Sequence, residues 1–397
     1  MQLSKDNGLY VGSFLVNKSK KKIVLIGPVY PYKGGISHYT GLMYKALCKK
    51  YDVIMISYKF QYPKILYKKE QKDYSNDCFK IDDTQYLIHT ANPLNWVQTA
   101  GKINALHPEL VIMQWWHPYF SPCYWTLCKC LKNIKTLFIC HNVFPHERFP
   151  LDKSLTKAAL KQADSYIVQS KMDALNLKTI VKNPLYRQTV HPTYNAFMIE
   201  NMSKEEARKR LGISLKQKVL LFFGFIREYK GLKYLIEAMP SIVNRIADTK
   251  LLIVGDFTNS ESKKQYEEMI AQMKVKDCID IYDGYIPDKE VEKFFVASDL
   301  VVLPYISATQ SGIAQIAYGF GKPVVATNVG GLPDIVSDRK TGYIIESENK
   351  DMIRDAVTDF FEQNRAEMFA EGVKKEAYRF SWEKMVDNIT NILEELQ

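Results

Sequence analysis

The pair of basic side chains at Arg227 and Lys230 is the clearest sign of chemistry in the sequence. Both residues follow the apolar run 219–223, which predicts a buried strand, and Gly224 directly follows that run. Loops that follow the carboxyl ends of strands form the ligand sites of doubly wound sheets. Two cations there can hold a diphosphate and stabilise it as it leaves. A solvated basic loop is the alternative interpretation.

A second polar segment starts where another predicted strand ends. Residues 304–325 read PYISATQSGIAQIAYGFGKPVV, in which a helix is predicted to begin near Ser311 and Gly312. The N-terminus of a helix offers backbone N–H groups and the positive end of the helix dipole to phosphate oxygens. Thr309 and Gln310 add short polar contacts, so this segment predicts a further phosphate contact.

The N-terminal half carries a glycine pair and a histidine at comparable positions. Gly34 and Gly35 follow the first predicted strand and open a helix, where glycines let the backbone approach a ligand closely. A purely structural turn is the alternative. His141 falls at the carboxyl end of another strand, where a neutral imidazole can hydrogen-bond a sugar hydroxyl. His146 and Glu147 are interpreted either as site residues or as loop architecture.

The sequence predicts no metal site and no cofactor. It contains no Asp-x-Asp pattern, which would supply carboxylates for a divalent ion bridging a diphosphate. The cysteines between 123 and 130 lack the Cys-x2-Cys spacing of a zinc site, and the histidines near 141–147 lack metalloprotease spacing. All seven cysteines are expected to be free thiols.

Short apolar runs alternate with amphipathic stretches along the chain, which indicates parallel sheets covered by helices on both sides. The pattern restarts after about residue 200. It predicts two doubly wound α/β domains facing across a cleft, residues 1–198 and 199–397, with 1–20 as a loose extension. The predicted strands are 22–27, 53–57, 86–89, 110–114, 136–140 and 166–169 in the first domain, and 219–223, 250–254, 279–282, 300–303 and 323–327 in the second.

Charge is distributed unevenly between these halves. Residues 1–198 hold 27 lysines and arginines against 12 acidic residues, whereas residues 199–397 hold 27 against 32. A basic half favours an anionic partner such as a membrane surface, and a lysine-rich solvated surface is the alternative. No nucleic-acid motif accompanies the charge. No apolar run approaches the ~18 residues of a membrane span and no signal peptide is recognised, so we expect a cytoplasmic protein, peripheral at the inner face of the membrane.

Taken together, the motifs resemble those of family 4 glycosyltransferases. The resemblance covers about residues 21–395 and is strongest from 219 to 336. It implies the GT-B fold, with two facing Rossmann-like domains and a last helix, from about residue 380, that crosses back to the first domain. It also implies metal-independent transfer of a sugar from a nucleotide diphosphate sugar, with retention of anomeric configuration, to a sugar, glycolipid or lipid-diphosphate-linked acceptor. The motifs that carry it are Gly34-Gly35, His141-Asn142, Arg227…Lys230-Gly231, Tyr285-Ile286-Pro287 and the block 299–334.

The resemblance assigns a role to most of the residues singled out above. The donor is expected mainly on the C-terminal domain and the acceptor mainly on the N-terminal one. The glycines at 34 and 35 close on the phosphates or the sugar, and the block after residue 304 adds phosphate contacts. The implied roles are diphosphate binding for Arg227 and Lys230, nucleobase contact for Ile286, and contact with the transferred sugar for His141.

One departure from the family pattern concerns two glutamates eight positions apart. Their places are occupied by Ala308 and Ile316, and a Thr-Gln-Ser-Gly sequence stands in the same block. Gln315 is adjacent to the second of these places, and it is expected to contact the ribose of the nucleotide if the register of the helix shifts. The expected function is sugar transfer in surface polysaccharide or glycolipid synthesis. The alternatives are a non-catalytic partner or regulator in a polysaccharide-assembly complex, and an epimerase or phosphorylase on the same fold.

Overall fold

A computed structural model describes residues 20–66, 70–74, 80–145, 149–193, 197–257, 259–308 and 311–397. Within these ranges the chain forms two parallel sheets, each covered by helices. The predicted two-domain α/β architecture is therefore confirmed.

The first sheet lies between residues 22 and 188, and its central strands β1, β4, β5 and β6 are almost entirely buried, whereas the edge strands β3 and β7 are largely not. Strand order is β3-β2-β1-β4-β5-β6-β7, and all neighbours are parallel. Its strands are β1 (Lys22–Ile26), β2 (Asp52–Phe60), β3 (Gln85–His89), β4 (Leu110–Trp115), β5 (Lys135–Cys140), β6 (Ser165–Val168) and β7 (Tyr186–Gln188). Its helices are α1 (Gly35–Cys48), α2 (Pro93–Leu106), α3 (Ser121–Cys130), α4 (Asp152–Leu160) and α5 (Lys171–Ile180).

The second sheet repeats this plan between residues 218 and 345. Its order is β10-β9-β8-β11-β12-β13, again with parallel neighbours. The strands are β8 (Lys218–Phe223), β9 (Thr249–Gly255), β10 (Ile279–Asp283), β11 (Leu300–Leu303), β12 (Val324–Thr327) and β13 (Gly342–Ile345). The helices are α6 (Lys204–Leu211), α7 (Leu232–Arg245), α8 (Ser260–Gln272), α9 (Asp288–Ala297), α10 (Gly312–Gly319), α11 (Leu332–Ile335), α12 (Lys350–Glu362), α13 (Ala366–Lys375) and α14 (Trp382–Glu395).

Both sheets reverse their strand order at one point, between β1 and β4 and between β8 and β11. In doubly wound sheets the ligand crevice lies outside the carboxyl ends of the strands at this point. The loops after these four strands are therefore the expected walls of a site, and they contain Gly34, Trp116, Gly224 and Ser311.

The last helix, α14, packs against the first domain, as expected from the sequence. Its amphipathic pattern buries Met385, Ile389 and Ile392. The crossing is fixed at its start, where Trp382 Nε1 donates to the carbonyl oxygen of Thr193 at 3.1 Å. The packing of α14 on α1 therefore joins the two domains away from the cleft.

The predicted strands match observed strands to within about three residues at either end, but the sequence prediction omitted β7 and β13. Both are short strands, of three and four residues, at the edges of their sheets. Among the described residues, no helix is both long and apolar enough to span a bilayer.

Candidate functional site

The end of β8 brings a buried ammonium group to the carboxyl edge of the second sheet. Gly224, the next residue, has φ of 110°, which only glycine adopts without strain. A Cβ at this position would lie 2.9 Å from Lys230 Nζ. The backbone conformation therefore favours glycine at 224, and a Cβ there would displace the ammonium of Lys230.

The Lys230 side chain is 8% exposed, yet its ammonium has no carboxylate or hydrogen-bond partner among the described residues. The centre of the Tyr305 ring lies 5.2 Å from Nζ. Burial lowers the pKa of Lys230, and the nearby charge of Arg227 lowers it further. A buried cation without a counter-ion is costly, so the site is suited to bind an anion.

Helix α10 begins beside this ammonium. Ser311 caps the helix by accepting a hydrogen bond from the Ala314 N–H at 3.3 Å, and its side chain is buried. The hydroxyl of Tyr305 lies 3.5 Å from Ser311 Oγ, and burial raises the pKa of Tyr305 to about 12, so this phenol stays neutral. The positive end of the helix dipole and the Lys230 ammonium thus both favour an anion in the space between them.

A cavity of about 300 Å³ between the two domains gathers most of the predicted donor-binding residues. Both domains contribute walls, because α1 begins on one side and α10 on the other. The cavity has the size and the partly apolar lining of a small-molecule site. The predicted residues that line it are Gly34, Gly35, Gly224, Lys230, Ile286, Ser311 and Gly312.

Three other predicted residues are placed elsewhere. Arg227 is exposed and is not part of the cavity wall, although its charge acts on Lys230. His141 is buried, and its Nε2 lies 2.8 Å from Gln114 Oε1. Burial lowers the pKa of His141 well below its usual value, so the ring is neutral, as predicted for a hydrogen-bonding imidazole. Gln315 is fully buried and lies outside the cavity wall.

The remaining predicted residues cannot be placed, because Thr309, Gln310, His146 and Glu147 lie outside the described residues. The two positions that the family pattern assigns to glutamates can be placed. Ala308 and Ile316 both line the cavity, so its wall is apolar where the family pattern has carboxylates.

Sequence reasoning missed an interdomain pair at the mouth of the cavity. His38 on α1 and Asp288 at the start of α9 both line it, with Nε2 and Oδ2 2.8 Å apart. Both side chains are largely buried. The position of Asp288, two residues after Ile286, was the available signal. Nothing in the sequence marked His38, because its partner is 250 positions away in the chain.

Comparison with solved structures shows the GT-B glycosyltransferase fold, with two Rossmann-like domains. The structure superposes on HepE from Anabaena, solved with UDP, with a TM-score of 0.73, 15% identity and coverage of 94% of this chain and 100% of the other. A glycosyltransferase from Rickettsia africae gives a TM-score of 0.73, 18% identity and coverage of 95% and 98%.

Residues 203–378, which lie in the second domain, match the family model described as Glycosyl transferases group 1. A curated relative, the D-inositol 3-phosphate glycosyltransferase of Corynebacterium aurimucosum, is 30% identical over 192 residues, which are 47% of this chain and 45% of the relative. The matched region spans about half the length of the curated relatives.

Proposed function

We propose that this protein is a retaining glycosyltransferase that moves a sugar from a nucleotide diphosphate sugar to an acceptor. The observation that carries the proposal is the buried ammonium of Lys230, which has no ionic partner among the described residues and lies beside the N-terminus of α10, in a cavity lined by both domains. The group 1 domain and the GT-B fold support it, as does the UDP that HepE binds.

In the proposed reaction the donor diphosphate lies between Lys230 and the start of α10. The bond between the anomeric carbon and the phosphate oxygen breaks, and its electron pair goes to the phosphate. The ammonium and the helix dipole stabilise this growing charge more in the transition state than in the ground state. The acceptor oxygen forms its bond on the same face of the sugar, and its proton passes to the leaving phosphate.

Metal independence and the role of Arg227 belong to the same proposal. With one buried cation and a helix terminus at the phosphates, the chain itself supplies positive charge where a divalent ion would otherwise act. The exposed guanidinium of Arg227 adds a second charge if it turns into the cleft when the donor enters. His141, behind the cavity wall, is proposed to contact the transferred sugar.

The substitution Lys230→Ala tests the proposal. We expect kcat for sugar transfer to fall on the order of 10²-fold or more, because the leaving phosphate loses its buried cation. Lys216→Ala removes an exposed lysine of the same domain and serves as the control. The reaction is monitored by measuring the release of nucleoside diphosphate with and without acceptor. Near-normal turnover in Lys230→Ala would contradict the mechanism, and release of the diphosphate at the same rate with and without acceptor would favour another enzyme class.

The acceptor is proposed to be a glycolipid or a lipid-diphosphate-linked sugar at the cytoplasmic face of a membrane, in surface polysaccharide or glycolipid synthesis. The basic first half supports an anionic surface as partner, and the loop after β2 exposes Ile65 and Leu66 beside Lys64. We expect sedimentation with phosphatidylglycerol liposomes at low salt, reduced in the double variant Ile65→Ser, Leu66→Ser. No sedimentation of the wild type would contradict this part of the proposal.

The apolar cavity wall at Ala308 and Ile316 favours a second candidate, a non-catalytic partner in a polysaccharide-assembly complex. The two candidates differ in what happens after the nucleotide sugar binds. An enzyme slowly hydrolyses a bound donor even without acceptor, whereas a non-catalytic partner only binds it. Binding of a nucleotide sugar with no hydrolysis and no transfer would favour this second candidate.

A further inference from the structure

A second cavity, of about 350 Å³, lies in the first domain on the other side of the Gly34–Gly35 turn. The same two glycines line both cavities, so this turn borders each of them. The loops after β1, β2 and β4 form its walls, at the point where the first sheet reverses its strand order. Apart from the shared glycines, none of the predicted site residues lies in it.

Aromatic rings held in fixed positions form one wall of this cavity. Trp116 Nε1 donates to the hydroxyl of Tyr62 at 2.8 Å. Behind them, the ring of Phe120 lies 4.2 Å from the ring of Trp116 and 5.2 Å from that of Tyr62, measured between centres. Packed aromatic rings present a flat apolar surface, on which the C–H face of a sugar ring can be buried.

His117 adds an uncharged hydrogen-bond donor to the same cavity. Its Nδ1 accepts a hydrogen bond from the Tyr119 N–H at 3.1 Å, so the proton of the neutral ring resides on Nε2. Burial lowers the pKa of His117, which keeps the ring neutral near pH 7. The ring of Phe149 stacks on it at 5.6 Å and holds its orientation.

Gln61 supplies a second polar group that has no partner of its own. Its side chain is 9% exposed and lines the cavity, and no hydrogen bond to its amide is found among the described residues. Gln71 offers a contrast, because its amide bonds both the backbone N–H and the carbonyl of Tyr62, at 3.2 and 2.9 Å. Gln71 therefore fixes the loop, whereas the amide of Gln61 is available to a ligand with hydroxyl groups.

The charge in this cavity is low. Lys33 is the one permanently charged side chain among the lining residues that the structure describes, and its Nζ lies 4.9 Å over the ring of Tyr285 in the second domain. A phosphate-binding site would need several cations or a fork of guanidinium donors. The lining instead combines an aromatic surface with neutral donors and acceptors.

We infer that this cavity binds the sugar-accepting unit, and that this unit is an uncharged pyranose ring. The inference rests on the proposed function, since an acceptor must reach the donor sugar past the Gly34–Gly35 turn. In this arrangement the ring packs its C–H face on Trp116 and Tyr62. Gln61 and His117 hydrogen-bond its hydroxyl groups, which leaves one hydroxyl to face the donor cavity.

Saturation-transfer NMR on the full-length protein tests this inference. The protein is first loaded with UDP or GDP, whichever raises its melting temperature more. The probes are the methyl glycosides of glucose, galactose, mannose and N-acetylglucosamine, and the corresponding 6-phosphates. We expect at least one neutral glycoside to bind, and to bind more tightly than its 6-phosphate. If no neutral glycoside binds, or if the 6-phosphates bind more tightly, the inference is wrong.

Two variants test whether Gln61 and Trp116 contact the glycoside. Gln61→Met keeps the length of the side chain but removes both hydrogen-bonding groups, and it should weaken glycoside binding about 10-fold or more. Gln272→Met, at an exposed position on α8, is the matched control and should bind like the wild type. Trp116→Leu should weaken binding as well. Wild-type affinity in Gln61→Met would overturn the assignment of this cavity.

The same samples separate this inference from the proposed function. If neither nucleotide binds the wild type, the proposed donor site fails, whatever the glycosides do. If nucleotide binding is intact and depends on Lys230 while no glycoside binds, only the acceptor inference fails.

Discussion

The two sides of the cleft present different chemistry. On the second domain, a helix terminus and one buried cation face the cavity, within the short segments that follow β8 and β11. On the first domain, aromatic and amide side chains from two separate loops, after β2 and after β4, meet at one place. Phosphate recognition by backbone and charge therefore leaves a compact motif in the sequence, whereas a pocket assembled from distant side chains leaves none.

The largest expected effect tests the second-domain side of the cavity, where Gly224 lies against Lys230. Gly224→Ala forces a Cβ to within 2.9 Å of Lys230 Nζ and strains a backbone with φ of 110°. Because the ammonium must move, we expect nucleotide affinity to fall on the order of 10²-fold, measured by calorimetry with UDP or GDP. Gly212→Ala is the control, since Gly212 also has positive φ but open space around its Cβ position. Equal loss of affinity in both variants would show that strain alone is responsible.

The second prediction concerns the pH dependence of nucleotide binding. The lowered pKa of Lys230 means that the free protein loses this charge at a lower pH than an ordinary lysine does. A bound diphosphate favours the charged form, so binding takes up a proton, and affinity falls as pH rises through the lowered pKa. Above about pH 7.5 the phosphates of the nucleotide no longer titrate, so the change in affinity there is not caused by them.

Calorimetry in two buffers with different ionisation enthalpies measures this proton uptake directly. Lys230→Met should abolish the uptake, and the affinity of that variant should be low at every pH. The free wild-type protein should also gain stability as pH rises between the lowered pKa and the usual lysine range, because the unfolded chain binds more protons there. Proton uptake that persists in Lys230→Met would assign it to another group.

The fold and the position of the second-domain residues at one cavity could be predicted from the sequence for the same reason. Alternating runs of 4–7 residues determine where the strands of a doubly wound sheet lie, and the residues just after β8 and β11 then fall at the ligand edge. Gly224, Lys230, Ser311 and Gly312 accordingly line one cavity, as expected. Each of them acts within a dozen residues of a strand end.

The residues that the sequence did not reveal depend on contacts between distant parts of the chain. His38 meets Asp288 only because two domains close on each other, and Trp116 meets Tyr62 only because β2 and β4 both flank β1. The exposed position of Arg227 was equally unpredictable, because one rotation of a surface loop decides which way a long side chain points. The role assigned to it from the sequence stays a prediction.

A third, smaller effect compares two pairs that bridge the domains. His38 and Asp288 are buried at the cavity mouth, whereas Lys49 and Glu383 form a pair with side chains 73% and 61% exposed. We expect His38→Ala to weaken nucleotide affinity roughly 3- to 10-fold, because it leaves Asp288 buried without its partner and loosens the closed cleft. Lys49→Ala should change affinity by less than about 2-fold. If both variants have the same affinity, the buried pair does not contribute to the donor site.

The smallest expected effect concerns Gln315, whose carboxamide is fully buried with neither its oxygen nor its nitrogen hydrogen-bonded among the described residues. Such a group destabilises the fold, and an apolar side chain of similar shape removes that cost. Gln315→Met should therefore leave the melting temperature unchanged or raise it by a few degrees, with nucleotide affinity within about 2-fold of wild type. The ribose-binding role predicted from the sequence requires the opposite result, a clear loss of affinity for nucleotides. That loss would mean that α10 turns Gln315 towards the cavity when the donor binds, so that the helix itself supplies the ribose contact.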